Sequence, residues 1–451
     1  MPGGLLQKAG DLLAQHAGGF SRDGMIVVAV RVGGAGLGLL AQVLSARHIG
    51  AESFGYYALA LVWLLLLGHG ATAGTNQLIC RFLATYRADG DAGAARGLLR
   101  FALMLAGGVA ALFAGGAIAI TQSGIAGFDP RLVALLTLTF AVVPLIVLQD
   151  FLEAIARGLD KPALGIAPAM LLRHAAIIAG MLALTLAGAD GDALTIMSFT
   201  VVGLVASTAV QFVLIRKSLS GLIGIARPRY HAGYWFRTAL PIAVLDGAEV
   251  LFNNADILVL GLFMPPEVVA FYFAATRLSQ VLGYVPYGIT AATAQKYAAL
   301  AAHKDHAGLQ RLVGSVSRVA TAATLAGAVV LSALGVPLLS LFGDGYEAAA
   351  VTIPILCLGL VAACAFGPGE DVLTMLGEER ICSAVFGLAL ATNLGLNFVL
   401  VPIWGMLGAA FATAFALALR GALLAWFAHR RLGLTLPVLV TEAKLAMRTG
   451  A

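Results

Sequence analysis

Charge is what this sequence has least of. Asp, Glu, Lys and Arg together make up 11% of its 451 residues, against about a quarter in an ordinary soluble domain. Too few polar side chains are present to cover a water-facing globule, which excludes a soluble enzyme, a nucleic-acid binder and a disordered chain. Cysteine is scarce too. Cys80, Cys357, Cys364 and Cys382 form no CxxC pair and no ligand spacing with histidine, so neither a zinc site nor a disulfide framework is indicated. No GxxxxGK[ST], HExxH or GxSxG occurs, and the sequence calls for no catalytic residue, metal or cofactor. Long polar loops are missing as well, apart from a central one at about 217–235.

Apolar runs fill the space instead. Hydrophobic types are 60% of the chain and the mean hydropathy is +0.93. A spanning helix needs roughly 20 mostly apolar residues, and twelve stretches qualify. They lie at 24–46, 54–76, 98–121, 131–153, 163–187 and 193–215 in the first half. In the second half they lie at 236–262, 268–294, 311–340, 346–375, 381–402 and 405–428. The predicted fold class is an all-α polytopic membrane protein, with twelve transmembrane helices in two six-helix lobes. The organisation reads as an N-terminal segment 1–23, an N-lobe 24–216, the central loop 217–235, a C-lobe 236–430 and a tail 431–451. Residues 1–20 read either as an interfacial helix, with Leu5, Leu6, Leu12 and Leu13 on one side, or as a frayed terminus. They lack the h-region of a signal peptide.

The net charge of +5 and the sequence pI near 9.1 fit basic cytoplasmic loops. With the N-terminus inside, the outer loops hold only Arg47 and Arg131, while the inner segments hold most of the 28 Lys and Arg. The positive-inside rule therefore predicts cytoplasmic termini.

The halves repeat. ESFGYYALA at 52–60 aligns with EVVAFYFAA at 267–275. The same shift of 215 pairs Arg81 with Lys296, Ala92-Gly93 with Ala307-Gly308, and Arg96 with Arg311. Six passages per half give a parallel repeat, the architecture in which two bodies rock about a midplane site.

Polar residues inside such spans usually face the bundle interior or water. Arg31 and Gln42 lie three turns apart on the first span. His69, Thr72 and Asn76 mark the second, and Arg173 and His174 the fifth. Asp246, Glu249, Asn253 and Asp256, spaced 3, 4, 3, are predicted to share one face of the seventh. Arg277, Gln280, Tyr284 and Tyr287 repeat that spacing on the eighth. Asn393 and Asn397 read as interhelical glue, and Arg420 as a snorkelling helix-end cation. The arginines suit an anionic headgroup, because guanidinium stays ionised and forks onto phosphate oxygens. The acids Asp246, Glu249 and Asp256 read either as ion-coupling groups or as structural partners of those arginines. The triplets Asp89–Asp91 and Asp190–Asp192 read as turns in preference to metal sites.

Several segments resemble one family. SARHIGAESFGYYA at 45–58 looks like the signature between the first two helices of polysaccharide flippases, and GATAGTNQLICR at 70–81 is similar to that family's end of the second helix. ALPI at 239–242, DILVLG at 256–261 and YFAATR at 272–277 resemble its seventh and eighth helices. LFGDGYE at 341–347, LGEER at 376–380 and PIWGMLGAA at 402–410 resemble later segments. The family is the Wzx-type O-antigen and exopolysaccharide flippase branch of the multidrug/oligosaccharidyl-lipid/polysaccharide exporter (MOP) superfamily, which shares its fold with the MATE transporters.

The resemblance implies a multi-pass protein of the bacterial plasma (inner) membrane that moves a polyprenyl-diphosphate-linked glycan between leaflets. It implies membrane lipids as surroundings, and a glycan polymerase and glycosyltransferases as pathway partners. It also implies that Arg31 and Arg277 line a cationic cavity, and Gln42, Asn76, Gln280 and Tyr284 read as the groups that would meet the sugars there. Twelve spans set the chain apart from lipid II flippases, which carry two more. The alternative is a cation-coupled drug or metabolite antiporter of the same fold.

Overall fold

The computed structural model describes residues 22–438 except 125–128, 224–225, 292 and 304. Most of the N-terminal segment and the end of the tail lie outside the described residues. Among the described residues the chain is helical throughout, without β-strand. By its contacts it divides into two compact units after Asn254.

The first unit holds α1 (Arg22–Ala71), α2 (Thr75–Ala88), α3 (Ala92–Gln122), α4 (Pro130–Ala141), α5 (Val143–Gly158), α6 (Pro162–Ala187), α7 (Ala193–Ile223) and α8 (Ala232–Phe252). The second holds α9 (Ala255–Phe263), α10 (Pro266–Ala291), α11 (Ala294–Ala302), α12 (His306–Ala333), α13 (Gly335–Leu339), α14 (Thr352–Ala365), α15 (Gly369–Met375), α16 (Glu379–Trp404) and α17 (Met406–Leu432). The sequence starts the second lobe at residue 236. In the structure α8 packs with the first unit instead.

Ten helices among the described residues are long and apolar enough to cross a membrane. The first contains two passages. At 50 residues a straight α1 would run about 75 Å, twice a bilayer, and it turns at Gly50, whose φ of 77° is left-handed. That makes eleven passages among the described residues, and α8 and α9 fall on either side of the division between the two units. Helices α4 and α5 form one span, jointed at Val142 ahead of Pro144.

Three predicted boundaries move. The second span ends at Ala71 because Ala73 (φ 49°) and Gly74 (φ 72°) make a left-handed corner. A Cβ at Gly74 would run into the carbonyl oxygen of Ala239 on α8. Asn76 therefore sits on the first turn of α2, not on the second span. The seventh span breaks at Asn253–Asn254. The tenth ends at Ala365, and Gly367 (φ 90°) turns the chain into the short α15.

Small residues let the helices approach closely. Ala94, Ala95, Ala102, Ala106, Ala110 and Ala114 form the buried stripe of α3, in the manner of membrane helix interfaces. The opposite surface carries Leu103, Met104 and Leu112, the last 71% exposed, as a lipid-facing surface requires. In the first unit Leu78, Phe82, Leu98, Phe151 and Ile155 pack around Trp235, whose indole N–H donates to the Tyr86 hydroxyl at 3.1 Å. In the second unit Tyr297, Leu309, Val313, Leu373 and Leu424 pack around Leu436.

Each half fastens an extended strap after its sixth passage. In the first, the Arg229 N–H donates to Gly93 O at 2.9 Å and Arg96 Nη1 to Ala226 O at 2.9 Å. Arg229 also pairs with Asp91, which caps α3 through the Ala94 N–H. In the second, Gln310 Nε2 donates to Thr435 O at 2.6 Å, the Thr435 N–H returns a bond to Gln310 Oε1 at 2.8 Å, and Ser317 Oγ donates to Leu436 O at 2.9 Å. Asp305 caps α12 through the Gly308 N–H. Counted from these caps, the structural counterpart of Arg96 is Gln310. The register here is therefore 214, where the sequence alignment reads 215 and pairs Arg96 with Arg311. Tyr57 and Tyr272, which keep the shift of 215, are both buried and both hydrogen-bonded.

Candidate functional site

The polar groups of the first unit gather along α1, α5, α6 and α8. His69 Nδ1 lies 3.0 Å from Leu65 O. A carbonyl only accepts, so that nitrogen carries the hydrogen. His69 Nε2 faces Asp150 Oδ2 at 3.7 Å, so the pair forms an ion pair when the imidazole holds a second proton. Asp150 Oδ2 is buried with no hydrogen-bond partner. One turn on, Glu153 lies 3.9 Å from Arg157 and within electrostatic reach of Arg31. Arg173 acts on Asp150 and on Tyr57. Asp246 feels Glu249 on its own helix, His69 and Arg157.

Sequence reasoning missed Asp150 and Glu153 and assigned Arg157 to a loop. They lie at the polar end of a strongly apolar span, and their own spacing of three and four was the available signal. Arg31 is exposed. Gln42 and Asn76 are half-buried, and each keeps a buried amide oxygen without a partner.

The second unit builds its site on α10. Arg277 Nη1 donates to Gln280 Oε1 at 2.7 Å, and the guanidinium lies 4.3 Å from the Phe273 ring centroid, a cation–π distance. Its Nε and Nη2 are buried with no partner. Gln280 stands one turn on from Arg277, and Tyr284, 48% exposed, continues the same face. The rotamer is thus braced while two donors stay available, an arrangement suited to an incoming anion.

The predicted acidic stripe on the seventh span is not a single face. The break at Asn253–Asn254 leaves Asp246 and Glu249 on α8 and places Asp256 on α9. There Asp256 is 4% exposed and accepts from the Ile257 N–H, Tyr272 Oη and Thr413 Oγ1 at 2.9, 2.7 and 3.1 Å. It is a satisfied buried carboxylate that ties α9 to α10 and α17. Asn393 and Asn397, expected to bridge helices, bond to each other along α16 at 2.8 Å. Arg420 pairs with Glu370. Beside that pair, burial and the Glu370 charge push Asp371 up to about 6, against the pull of Arg420. Each Asp-Gly-Asp triplet ends in a helix cap: Asp91 on α3, and Asp192 through the Thr195 N–H and hydroxyl.

The family described as "Polysaccharide biosynthesis protein" matches residues 20–293, and MatE matches 241–400. The chain is 25% identical to the probable flippase AglR of Haloferax volcanii over 189 residues, which are 41% of this chain and 40% of that protein. The match thus spans about two fifths of that relative's length. Among solved structures, an inward-facing multidrug resistance MATE family transporter of the MOP superfamily aligns with TM-score 0.72 at 16% identity, covering 88% of this chain and 94% of that one. The lipid II flippase MurJ in an inward closed conformation aligns with TM-score 0.62 at 13% identity, covering 89% and 87%. These likenesses show the fold. With more than half its length matched by the family profile, the chain is a member of the polysaccharide biosynthesis protein family, on the all-helical membrane fold of the MOP superfamily.

Proposed function

We propose that the protein is a flippase that moves a polyprenyl-diphosphate-linked oligosaccharide, the repeat unit of an O-antigen, capsule or exopolysaccharide, across a bacterial plasma membrane by alternating access. Family membership and the flippase relative support the transport class. The observation that carries the substrate class is Arg277, a buried, braced guanidinium with Nε and Nη2 unmet. Diphosphate is the part of such a substrate that needs a fixed cation, and guanidinium forks onto phosphate oxygens without losing its charge. In this reading Arg31 is a second cation for the diphosphate. Gln42, Asn76, Gln280 and Tyr284 meet the sugars, and the lipid tail stays in the bilayer. No bond is made or broken. The termini lie in the cytoplasm, by the asymmetry of Lys and Arg.

A coupling ion has its best candidates in the first unit. His69 and Asp150 face each other across 3.7 Å, with Glu153, Asp246 and Glu249 in the same electrostatic neighbourhood. That acidic gathering also favours a second reading, a cation-coupled antiporter of small amphipathic cations.

Reconstitution separates the two. Proteoliposomes with a fluorescent polyprenyl-diphosphate oligosaccharide in the inner leaflet should show protein-dependent exposure of the headgroup to an external quencher. Accumulation of cationic dye without headgroup exposure would replace the flippase reading with the antiporter one.

A further inference from the structure

Beside α12, on the face that charge asymmetry assigns to the cytoplasm, lies a pocket of about 430 Å³ that none of the roles above uses. One wall is a face of α12 carrying His306, Arg311, Gly314 and Arg318, and the other is the strap Gly433–Val438. We propose that this pocket binds the phosphate of an anionic phospholipid headgroup.

Three observations carry the proposal. The first is uncompensated charge. Arg311 and Arg318 are seven residues, two helical turns, apart on one face. Both are exposed, no Asp or Glu lines the pocket, and neither arginine has an ion-pair partner among the described residues.

The second is the contrast with the other copy of the repeat. In the first half the strap supplies Arg229 to Asp91, and Arg96 holds a strap carbonyl. In the second half a neutral amide, Gln310, holds the strap. Arg311, the next residue, is left to face the pocket.

The third is depth. Arg318 stands twelve residues into α12, about 18 Å along its axis, where an ionised group is costly unless it reaches back towards water. Its Nη1 does reach back one turn, to 3.5 Å from the place a Cβ on Gly314 would occupy. That brings two forks to one interfacial recess, the geometry that holds a phosphate. Basic recesses between helices on the cytoplasmic side are where anionic headgroups bind. Pro437 and Val438, both half-buried, give the strap wall an apolar surface for the glycerol end of the lipid. The volume lies within the range of small-ligand sites.

The inference rests on the membrane reading and its orientation, not on the transported substrate. The test uses the full chain, delipidated in detergent, and native mass spectrometry with dioleoylphosphatidylglycerol, dioleoylphosphatidylcholine and inorganic phosphate as probes. Phosphatidylglycerol should bind saturably, about tenfold or more tighter than phosphatidylcholine. The R311Q/R318Q double variant should weaken it about tenfold or more, on the scale of two interfacial cations. R216Q/K217Q, which removes the same charge from the other unit, should not. The R311K/R318K pair, which keeps charge and loses the forks, should fall in between and guards against a folding defect.

Equal phosphatidylglycerol binding by wild type and R311Q/R318Q would overturn the proposal. Displacement of the lipid by excess inorganic phosphate would overturn the lipid assignment in favour of a soluble phosphate. Headgroup exposure in proteoliposomes, measured on the same variants, keeps this result separate from the flippase reading.

Discussion

Asp256 and Tyr272, sixteen residues apart in the chain, meet at 2.7 Å, the phenol donating to Oδ2 of a carboxylate that is 4% exposed. Thr413 donates to the same oxygen from a third helix. A buried carboxylate so supplied is costly to orphan, because removing one donor leaves the charge with less solvation than water gave it.

Tyr272→Phe should therefore destabilise the protein by about 1–3 kcal/mol, read as an earlier thermal unfolding transition in detergent. Asp256→Asn, expressed at normal membrane levels, should keep most of its export. Complete loss of export in that variant would make Asp256 a coupling group, not a fastening.

Arg277→Ala should abolish polymer export in a complementation assay at unchanged membrane levels, while Arg277→Lys should retain a fraction of it. Lysine keeps the charge but loses both the fork and the stacking on Phe273. Gln280→Leu should give a milder loss, by leaving the guanidinium less firmly placed. Full export by the alanine variant would remove the diphosphate role from this residue.

Gly97→Ala should loosen the first strap. The added Cβ would collide with the backbone carbonyl of Arg229, and neither that carbonyl nor α3 can yield without losing the bond from Arg229 to Gly93. Overpacking of this kind costs about 1–3 kcal/mol, and trypsin should then cut faster after Arg229. Gly107→Ala, with nothing within 4 Å of its new Cβ, should be neutral or stabilising by up to about 1 kcal/mol, since alanine is the better helix former. Equal trypsin rates for the two variants would show that the strap is not held by this contact.

Asp371 predicts a pH dependence of stability. Burial and Glu370 raise it to about 6 in the folded chain from an ordinary value of 3.8, so between those values the folded state holds the proton more tightly than the unfolded one. The neutral acid thus favours folding at low pH, and that contribution fades as pH rises through about 6. Asp371→Asn should raise the melting temperature by about 1–3 °C at pH 7.5 and leave it unchanged below about pH 4. A gain of the same size at both pH values would point to packing instead.

Much of this architecture was legible because a span must be about 20 apolar residues long and because Arg277 and Gln280 stand one turn apart in the text as in space. What stayed hidden were breaks set by contact. Nothing local marks Ala73 as left-handed, and the corner there reflects the close approach of Gly74 to the Ala239 carbonyl. The 3, 4, 3 spacing from Asp246 to Asp256 assumes a continuous helix, which Asn253 and Asn254 interrupt. Asp150 and Glu153 escaped because the apolar length of their span outweighs two carboxylates when a stretch is read as a whole.

A fold written twice carries two of every attachment, and only one need keep the original part. Here one copy closes its trailing segment with a cation and the other with an uncharged amide. Substitutions at Arg96 and at Gln310 should accordingly be felt as mechanical loosening. Those at Arg311 and Arg318 should leave the scaffold intact and alter only what it meets outside itself.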